Sequence, residues 1–242
     1  MYKHIENELL KLQNPDKSKI LQWFFKTWKW EYGEWDVFLW ITVPQQRNLV
    51  KKYWTNIDLE DIQKLLENKY HEFRMTWLLF LVQKYEKSNI TRKDEIFRFY
   101  IDNIKHINNR DLVDLSCHKI IWNFLLTRDR GILYKFAESS NMRIQRIAIV
   151  STYTFIKNWD FADTIKISKL LLDHKHDLIH KAVWRMLREI GKKDEDILIE
   201  FIEENASKMQ RTTLRYAIEK FDTNKRKHFL SIKKAGNLLH GI

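Results

Sequence analysis

Glycine and proline are scarce in this chain, which has only five glycines and two prolines among 242 residues. A protein of this length and average composition would contain about 17 glycines. Both residue types interrupt helices, whereas leucine, isoleucine, lysine and glutamate, which are abundant here, favour them. We therefore predict an all-α protein that is long enough to bury a core as one large domain or one repeat array.

Cysteine and long apolar runs are also nearly absent. Cys117 is the only cysteine, which excludes an intramolecular disulfide and a thiolate metal cluster. The nine histidines lack the paired spacing of zinc motifs, so we expect no metal and no cofactor. The apolar run 77–82 is too short to cross a membrane, and the polar start of the chain does not resemble a signal peptide. We expect a cytoplasmic monomer without a membrane partner.

Positive charge is in excess, with a formal net charge of +11 and a pI of about 9.5. Such a balance favours a polyanionic partner, nucleic acid above all. A lysine-rich surface of the kind produced by an AT-biased coding sequence is the alternative explanation.

Tryptophan is unusually frequent, with ten residues, and it often stands where glycine is expected. Three tryptophans crowd the polar, aperiodic stretch 26–36, and Trp159 lies in a turn between two helical patterns. Turns of this kind need a residue that reaches positive φ, which is normally glycine. We predict that several of these side chains are exposed or in loops, some with positive φ. The residues concerned are Trp28, Trp30, Trp35, Trp40 and Trp159. A genuine tryptophan-rich binding surface is the alternative.

Helical patterns separated by short polar breaks follow one another from about Ile57 onward. A small residue recurs at Ala148, Ala182 and Ala217, at spacings of 34 and 35 residues, as in loosely periodic two-helix repeats. We expect these alanines to serve packing. The pattern predicts one domain, 1–242, with divergent N-terminal helices over 1–56, repeats over 57–232 and a flexible tail over 233–242. Its architecture would be a right-handed superhelical solenoid of HEAT-like antiparallel helix pairs with a concave basic face.

Four segments together resemble the AlkD family of HEAT-like DNA alkylation repair proteins. They are FLWITVPQQR (38–47), INNRDLVD (107–114), QRIAIVST (145–152) and HDLIHKAVWRMLRE (176–189), and the segment RTTLRYAIE (211–219) is also similar. No single segment is decisive, but their combination is specific and spans nearly the whole chain.

The resemblance implies a DNA glycosylase that releases positively charged alkylpurines, such as 3-methyladenine and 7-methylguanine, without flipping the base out of the duplex. Family members hold an aspartate, an arginine and several tryptophans in their cleft. The aspartate corresponds to Asp114 and the arginine to Arg146. Tryptophan positions of the family correspond to Arg110, Arg143 and Arg185 in this chain.

The departures from the family pattern are systematic. Tryptophan stands at family glycine positions 28, 30, 35, 40, 122, 159 and 184, and arginine stands at the three family tryptophan positions. One hypothesis is that the source reads UGA as glycine and a CGN codon as tryptophan, so that the printed chain is a mistranslation of an ordinary family member. The other is a paralogue that has lost the aromatic residues of its cleft.

The chemistry assigned to these residues follows from charge. Asp114 would stabilise the developing sugar cation and position water, and Arg146 would hold the carboxylate and a phosphate. A capping or ion-pair role for Asp114 and an inter-repeat salt bridge for Arg146 are the alternatives. Further basic residues on the predicted concave helices would contact DNA phosphates or remain solvated surface charges. These are Lys119, Lys181, Arg188, Arg211 and Arg215.

Three functions thus remain open: a glycosylase acting on duplex DNA with alkylated bases, a catalytically impaired member that binds DNA or branched DNA, and a protein-binding HEAT scaffold.

Overall fold

A computed structural model describes residues 1–24, 27–29, 34 and 36–232. Within them the chain is all-α, as predicted, and pairing of extended backbone is limited to one isolated bridge between Val37 and Tyr70. The helices are α1 Tyr2–Lys11, α2 Pro15–Phe24, α3 Val43–Tyr53, α4 Leu59–Leu66, α5 His71–Lys87, α6 Ile90–Asp102, α7 Arg110–Leu125, α8 Gly131–Ala137, α9 Met142–Ser151, α10 Tyr153–Lys157, α11 Ala162–Leu171, α12 Asp177–Gly191, α13 Glu195–Asn205, α14 Arg211–Ala217 and α15 Thr223–Ser231. A 3-10 turn covers Ile104–His106. No helix of the described residues is long and apolar enough to cross a membrane.

Short polar side chains begin several of these helices. Asp58 accepts the backbone N–H of Asp61 at 2.8 Å, and Asn89 accepts that of Arg92 at 3.0 Å. Each bond satisfies one of the N–H groups that a helix leaves without a partner in its first turn. The short polar breaks in the sequence therefore act as helix starts.

The chain divides into two compact units, Met1–Ile120 and Ile121–Ile242. The core of the first unit is built around α5, which packs against α3, α4 and α6. Trp77, Phe73 and Phe80 on α5 are fully buried. The expected single domain over 1–242 stays a prediction, and the expected tail, 233–242, lies outside the described residues.

Helix pairs build the second unit. In the pairs α8–α9 and α11–α12, the first helix packs on the second. The second helices α9 and α12, together with α14, lie side by side. Ala148, Ala182 and Ala217 stand on these three neighbouring helices and are each at most 1% exposed. The alanines therefore recur at the sequence spacing of adjacent second helices. Their burial confirms the predicted role in packing.

One predicted helix, 141–157, is divided in two. The Thr152 hydroxyl donates to the Ile149 carbonyl at 2.7 Å, and the Thr152 N–H also bonds to this carbonyl at 3.2 Å. A threonine that bonds its own backbone competes with the regular helical pattern. The chain therefore ends α9 at Ser151 and continues as α10.

Several of the tryptophans that stand where glycine is expected are exposed or lie in loops, as predicted. Trp40 and Trp159 have φ values of 61° and 62°, and they are the two non-glycine residues with positive φ in the described part of the chain. Trp28 and Trp159 are 66% and 62% exposed, and among the described tryptophans Trp77 alone is fully buried. Trp30 and Trp35 lie outside the described residues.

Candidate functional site

Helix α7 carries the residue assigned to catalysis. Asp114 is half-buried and follows Asp111 by three residues, so the two carboxylates are neighbours on the helix surface. Arg110 begins the helix, and Lys119 lies further along it, where its Nζ pairs with Glu86 on α5 at 2.8 Å. The His118 ring nitrogen Nδ1 donates to the Asp114 carbonyl at 2.9 Å.

A buried ion network holds the first turn of α7 against α5. The His71 ring contacts carboxylates through both nitrogens: Nε2 lies 2.9 Å from Asp111 Oδ2, and Nδ1 lies 3.3 Å from Asp36 Oδ2. Burial alone would lower the pKa of His71, but the charges and hydrogen bonds of Asp111 and Asp36 outweigh it and raise the pKa to about 9. His71 is therefore a buried cation at neutral pH.

Asp36 is the centre of this network. Beyond His71, it accepts hydrogen bonds from Arg74, from Asn108 at 3.1 Å and from Asn109 at 2.7 Å. Burial would raise the pKa of Asp36, but the bond from His71 and the charge of Arg74 hold it below its ordinary value. The network links residue 36, helix α5 and the start of α7, one helical turn before Asp114.

A second carboxylate on α5, Glu72, organises the segment before α3. Its oxygens accept three successive backbone N–H groups, those of Leu39 at 3.0 Å, Trp40 at 2.8 Å and Ile41 at 3.3 Å. Beside this anion lies a cavity of about 220 Å³. Its lining includes Phe38, Trp40, Met75, His71, Glu72 and Asp111.

The second unit carries the other assigned residues. Arg143 and Arg146 are on α9, and Arg146 is 5% exposed. The Arg146 guanidinium donates to the Leu178 carbonyl of α12 at 2.7 Å, so it links two neighbouring second helices. Burial and this bond give the guanidinium a fixed position.

Most of the remaining basic residues have partners within the chain. Lys181 pairs with Asp177 at 2.7 Å. Arg188 pairs with Glu219 at 3.0 Å, and its guanidinium lies 4.8 Å from the centroid of the Trp184 ring. Arg211 donates to the Leu230 and Ile232 carbonyls at the end of α15.

Two groups of the predicted site residues are thus formed. Arg110, Asp114 and Lys119 share α7 in the first unit. The second group lies on the adjacent helices α9, α12 and α14 and comprises Arg143, Arg146, Lys181, Arg185, Arg188, Arg211 and Arg215. That both groups meet on one concave surface stays a prediction.

Sequence reasoning missed His71, Asp36 and Asp111. These residues stand 35 and 40 positions apart along the chain, and each one alone resembles an ordinary surface residue. The polar segment Asn108–Asp111 was visible in the sequence, but its partners were not.

The comparisons with known proteins concern the family and the fold of the whole chain. The family model described as DNA alkylation repair enzyme matches residues 5–221. A solved structure described as a predicted DNA alkylation repair enzyme from Enterococcus faecalis is similar in fold, with a TM-score of 0.70 and 15% identity over 87% of this chain and 97% of that one. No curated protein matches the sequence. Because the family model covers nearly all of the described helices, the chain belongs to the DNA alkylation repair enzyme family.

Proposed function

We propose that this protein removes cationic alkylpurines, such as 3-methyladenine and 7-methylguanine, from duplex DNA by hydrolysing the N-glycosidic bond without flipping the base. The observation that carries the proposal is the family match over residues 5–221. The resemblance described from the sequence assigns the family's cleft carboxylate to Asp114, which is half-buried on α7.

The chemistry needs little more than a fixed negative charge. Cleavage develops oxocarbenium character on the sugar, and a purine that already carries a positive charge leaves without a general acid. One carboxylate about 4 Å from the sugar contributes roughly 4 kcal/mol at an effective dielectric constant of 20. This corresponds to about a thousandfold in rate. Asp114 supplies this charge and orients the attacking water.

The surroundings of Asp114 favour such a role. The His71–Asp111 contact fixes the helical turn before it, which limits the motion of a carboxylate that must face a developing charge. Arg146, held by its bond to Leu178, offers a guanidinium that does not have to be ordered when DNA binds. Basic residues on α12 and α14 supply sequence-independent phosphate contacts.

The test measures base release from methylated duplex DNA and DNA affinity in parallel. We expect Asp114→Asn to abolish release and to leave affinity within severalfold, because the carboxylate acts on the transition state rather than on bound DNA. The control is Asp173→Asn, which neutralises an exposed aspartate of the second unit and should change neither quantity. Undiminished release by Asp114→Asn would contradict the proposed mechanism.

A second candidate function is non-enzymatic binding of DNA or of branched DNA. Arginines at 110 and 185, where the family has tryptophan, favour it, since they would bring positive charge toward a cationic transition state. If the chain releases no base and binds a four-way junction more tightly than a linear duplex of equal length, this function replaces the first.

A further inference from the structure

The backbone at Trp159 forms the hydrogen bonds of a type of helix end that usually contains glycine. Helix α10 ends at Lys157, after which the Trp159 N–H bonds to the Ile156 carbonyl at 3.1 Å and the Asp160 N–H bonds to the Phe155 carbonyl at 3.0 Å. This pair of bonds is the Schellman motif, whose C′ residue adopts the left-handed conformation and is usually glycine. Here that residue is Trp159, with φ of 62°.

The indole of Trp159 does not explain this conformation. The residue is 62% exposed. Its ring lies 6.2 Å, between centroids, from Phe161 and 5.0 Å from the Lys193 Nζ, contacts that do not require a left-handed backbone. A bulky residue at positive φ is a steric outlier, because Cβ crowds the neighbouring carbonyl. The helix end therefore imposes the left-handed backbone on a residue that does not suit it.

Trp40 has a left-handed backbone for a different local reason. Three successive N–H groups, 39 to 41, converge on the Glu72 carboxylate. In the anion-binding nests of proteins, consecutive N–H groups point to one side because right- and left-handed conformations alternate. Residue 40 supplies the left-handed member, with φ of 61°.

We propose that the cell that carries this gene incorporates glycine, not tryptophan, at positions 40 and 159, through a codon that it reads as glycine. Tryptophan makes up ten of the 242 residues, yet it accounts for both positive-φ residues other than glycine in the described part of the chain. Two unrelated hydrogen-bond patterns thus require glycine-like backbone at two of the positions where the family resemblance also implies glycine.

The inference changes the chemistry of the candidate site. Glycine at 40 removes one wall of the cavity next to Asp111. The opposite replacement, tryptophan for arginine at 110, 143 and 185, belongs to the same hypothesis and would lower the formal charge by three. Indoles there would pack against deoxyribose faces and exclude water, without opposing the developing cation. This consequence rests on the proposed function, whereas the glycine assignment does not.

Peptide mass spectrometry of the protein purified from its own source tests the assignment directly. We expect peptides with glycine at 40 and 159, and UGA codons at those positions of the gene. Peptides with tryptophan at either position, or UGG at all ten tryptophan codons, would overturn the proposal.

Stability measurements on the recombinant chain test its physical basis. Each position is changed to glycine and to alanine, because the alanine variant loses the indole but keeps Cβ. At Trp40 and Trp159 we expect glycine to give a folding equilibrium constant about five- to thirtyfold higher than alanine.

Trp184 is the matched control, since it lies inside α12 and stacks on Tyr216 with ring centroids 4.8 Å apart. There the order should reverse, with glycine about fivefold below alanine, because glycine is unfavourable within a helix. If the glycine variant has no higher folding equilibrium constant than the alanine variant at both Trp40 and Trp159, the conformational argument is overturned.

A reconstructed protein separates this inference from the proposed function. It carries glycine at the seven family glycine positions, 28, 30, 35, 40, 122, 159 and 184, and tryptophan at 110, 143 and 185, while the fully buried Trp77 is kept. Its base release is compared with that of the unaltered chain. Faster release by the reconstruction supports both proposals. If native peptides carry glycine and the reconstruction releases no base, the glycine assignment stands and the glycosylase proposal fails. Equal release by the two proteins would overturn the claim that the three arginines impair the site.

Discussion

A histidine cation buried between two carboxylates makes the stability of the protein depend on pH. The pKa of His71 is raised from 6.5 in the unfolded chain to about 9 in the folded one. The stabilisation is therefore complete below pH 6.5 and is lost as the pH rises through 9, a loss of roughly 3 kcal/mol in the free energy of unfolding. The charged groups around the ring are Asp36, Asp111, Arg74 and Glu72.

Urea unfolding across pH 6 to 10 measures this effect. His71→Gln should unfold at lower urea than the parent at pH 6 and should lose the decline above pH 6.5. His228→Gln, which removes an exposed histidine of α15, should retain the decline. A parent protein whose urea midpoint is constant between pH 6.5 and 9 would show that His71 is not the buried cation.

The role of each buried carboxylate in this protein depends on its hydrogen-bond partners. Glu72 is satisfied by backbone N–H groups and Asp36 by a histidine, an arginine and two amides. Asp114 lies one helical turn from this network. Glu72 and Asp36 thus hold the scaffold, and the catalytic role of Asp114 stays a proposal.

Close approach of two helices depends on one of the five glycines. A Cβ built on Gly191, the last residue of α12, would lie 2.3 Å from the Leu198 Cδ2 of α13. Leu198 is 1% exposed and has little room to move. We expect Gly191→Ala to lower the free energy of unfolding by about 1–2 kcal/mol, since overpacking exceeds the gain in helix propensity.

Two comparisons isolate the contact between these helices. In a Leu198→Ala background the added methyl group has space, so Gly191→Ala should cost nothing further. Gly131→Ala should be nearly neutral, because its Cβ would meet only the carboxylate end of exposed Asp129. Equal destabilisation at both glycines in thermal unfolding would contradict the steric explanation.

The excess of positive charge, +11 over the whole molecule, should govern DNA affinity. Binding to duplex DNA releases counterions, so the affinity should fall steeply and linearly on logarithmic axes as salt increases. Arg215→Ala removes an exposed cation from α14. We expect it to weaken binding to all duplex sequences alike and to reduce the salt slope by about one.

Lys166→Ala provides the control for this measurement, because it removes the same charge from an exposed position on α11. Fluorescence anisotropy at several salt concentrations should show an unchanged slope for this variant. If both variants reduce the salt slope equally, DNA affinity depends on net charge rather than on the basic residues of α9, α12 and α14.

The sequence alone determined the fold class and much of the repeat pattern. Scarce glycine and proline left few interruptions to helices, and the periodic alanines Ala148, Ala182 and Ala217 marked helices that lie side by side. Trp40 and Trp159 were also recognisable from the residues around them, because the need for positive φ is local to a turn. Local properties of this kind depend on backbone sterics and nearest neighbours, and the sequence displays both.

Only the tertiary structure decided which charges are buried and with whom. His71 becomes a cation because Asp36 and Asp111 close on both ring nitrogens, and Arg146 becomes a link between helices because the Leu178 carbonyl lies beside it. Desolvation and pairing of charges depend on distances of a few ångströms between residues far apart in sequence. No periodicity or motif encodes those distances, which come from the packing of α5, α7, α9 and α12 within their units.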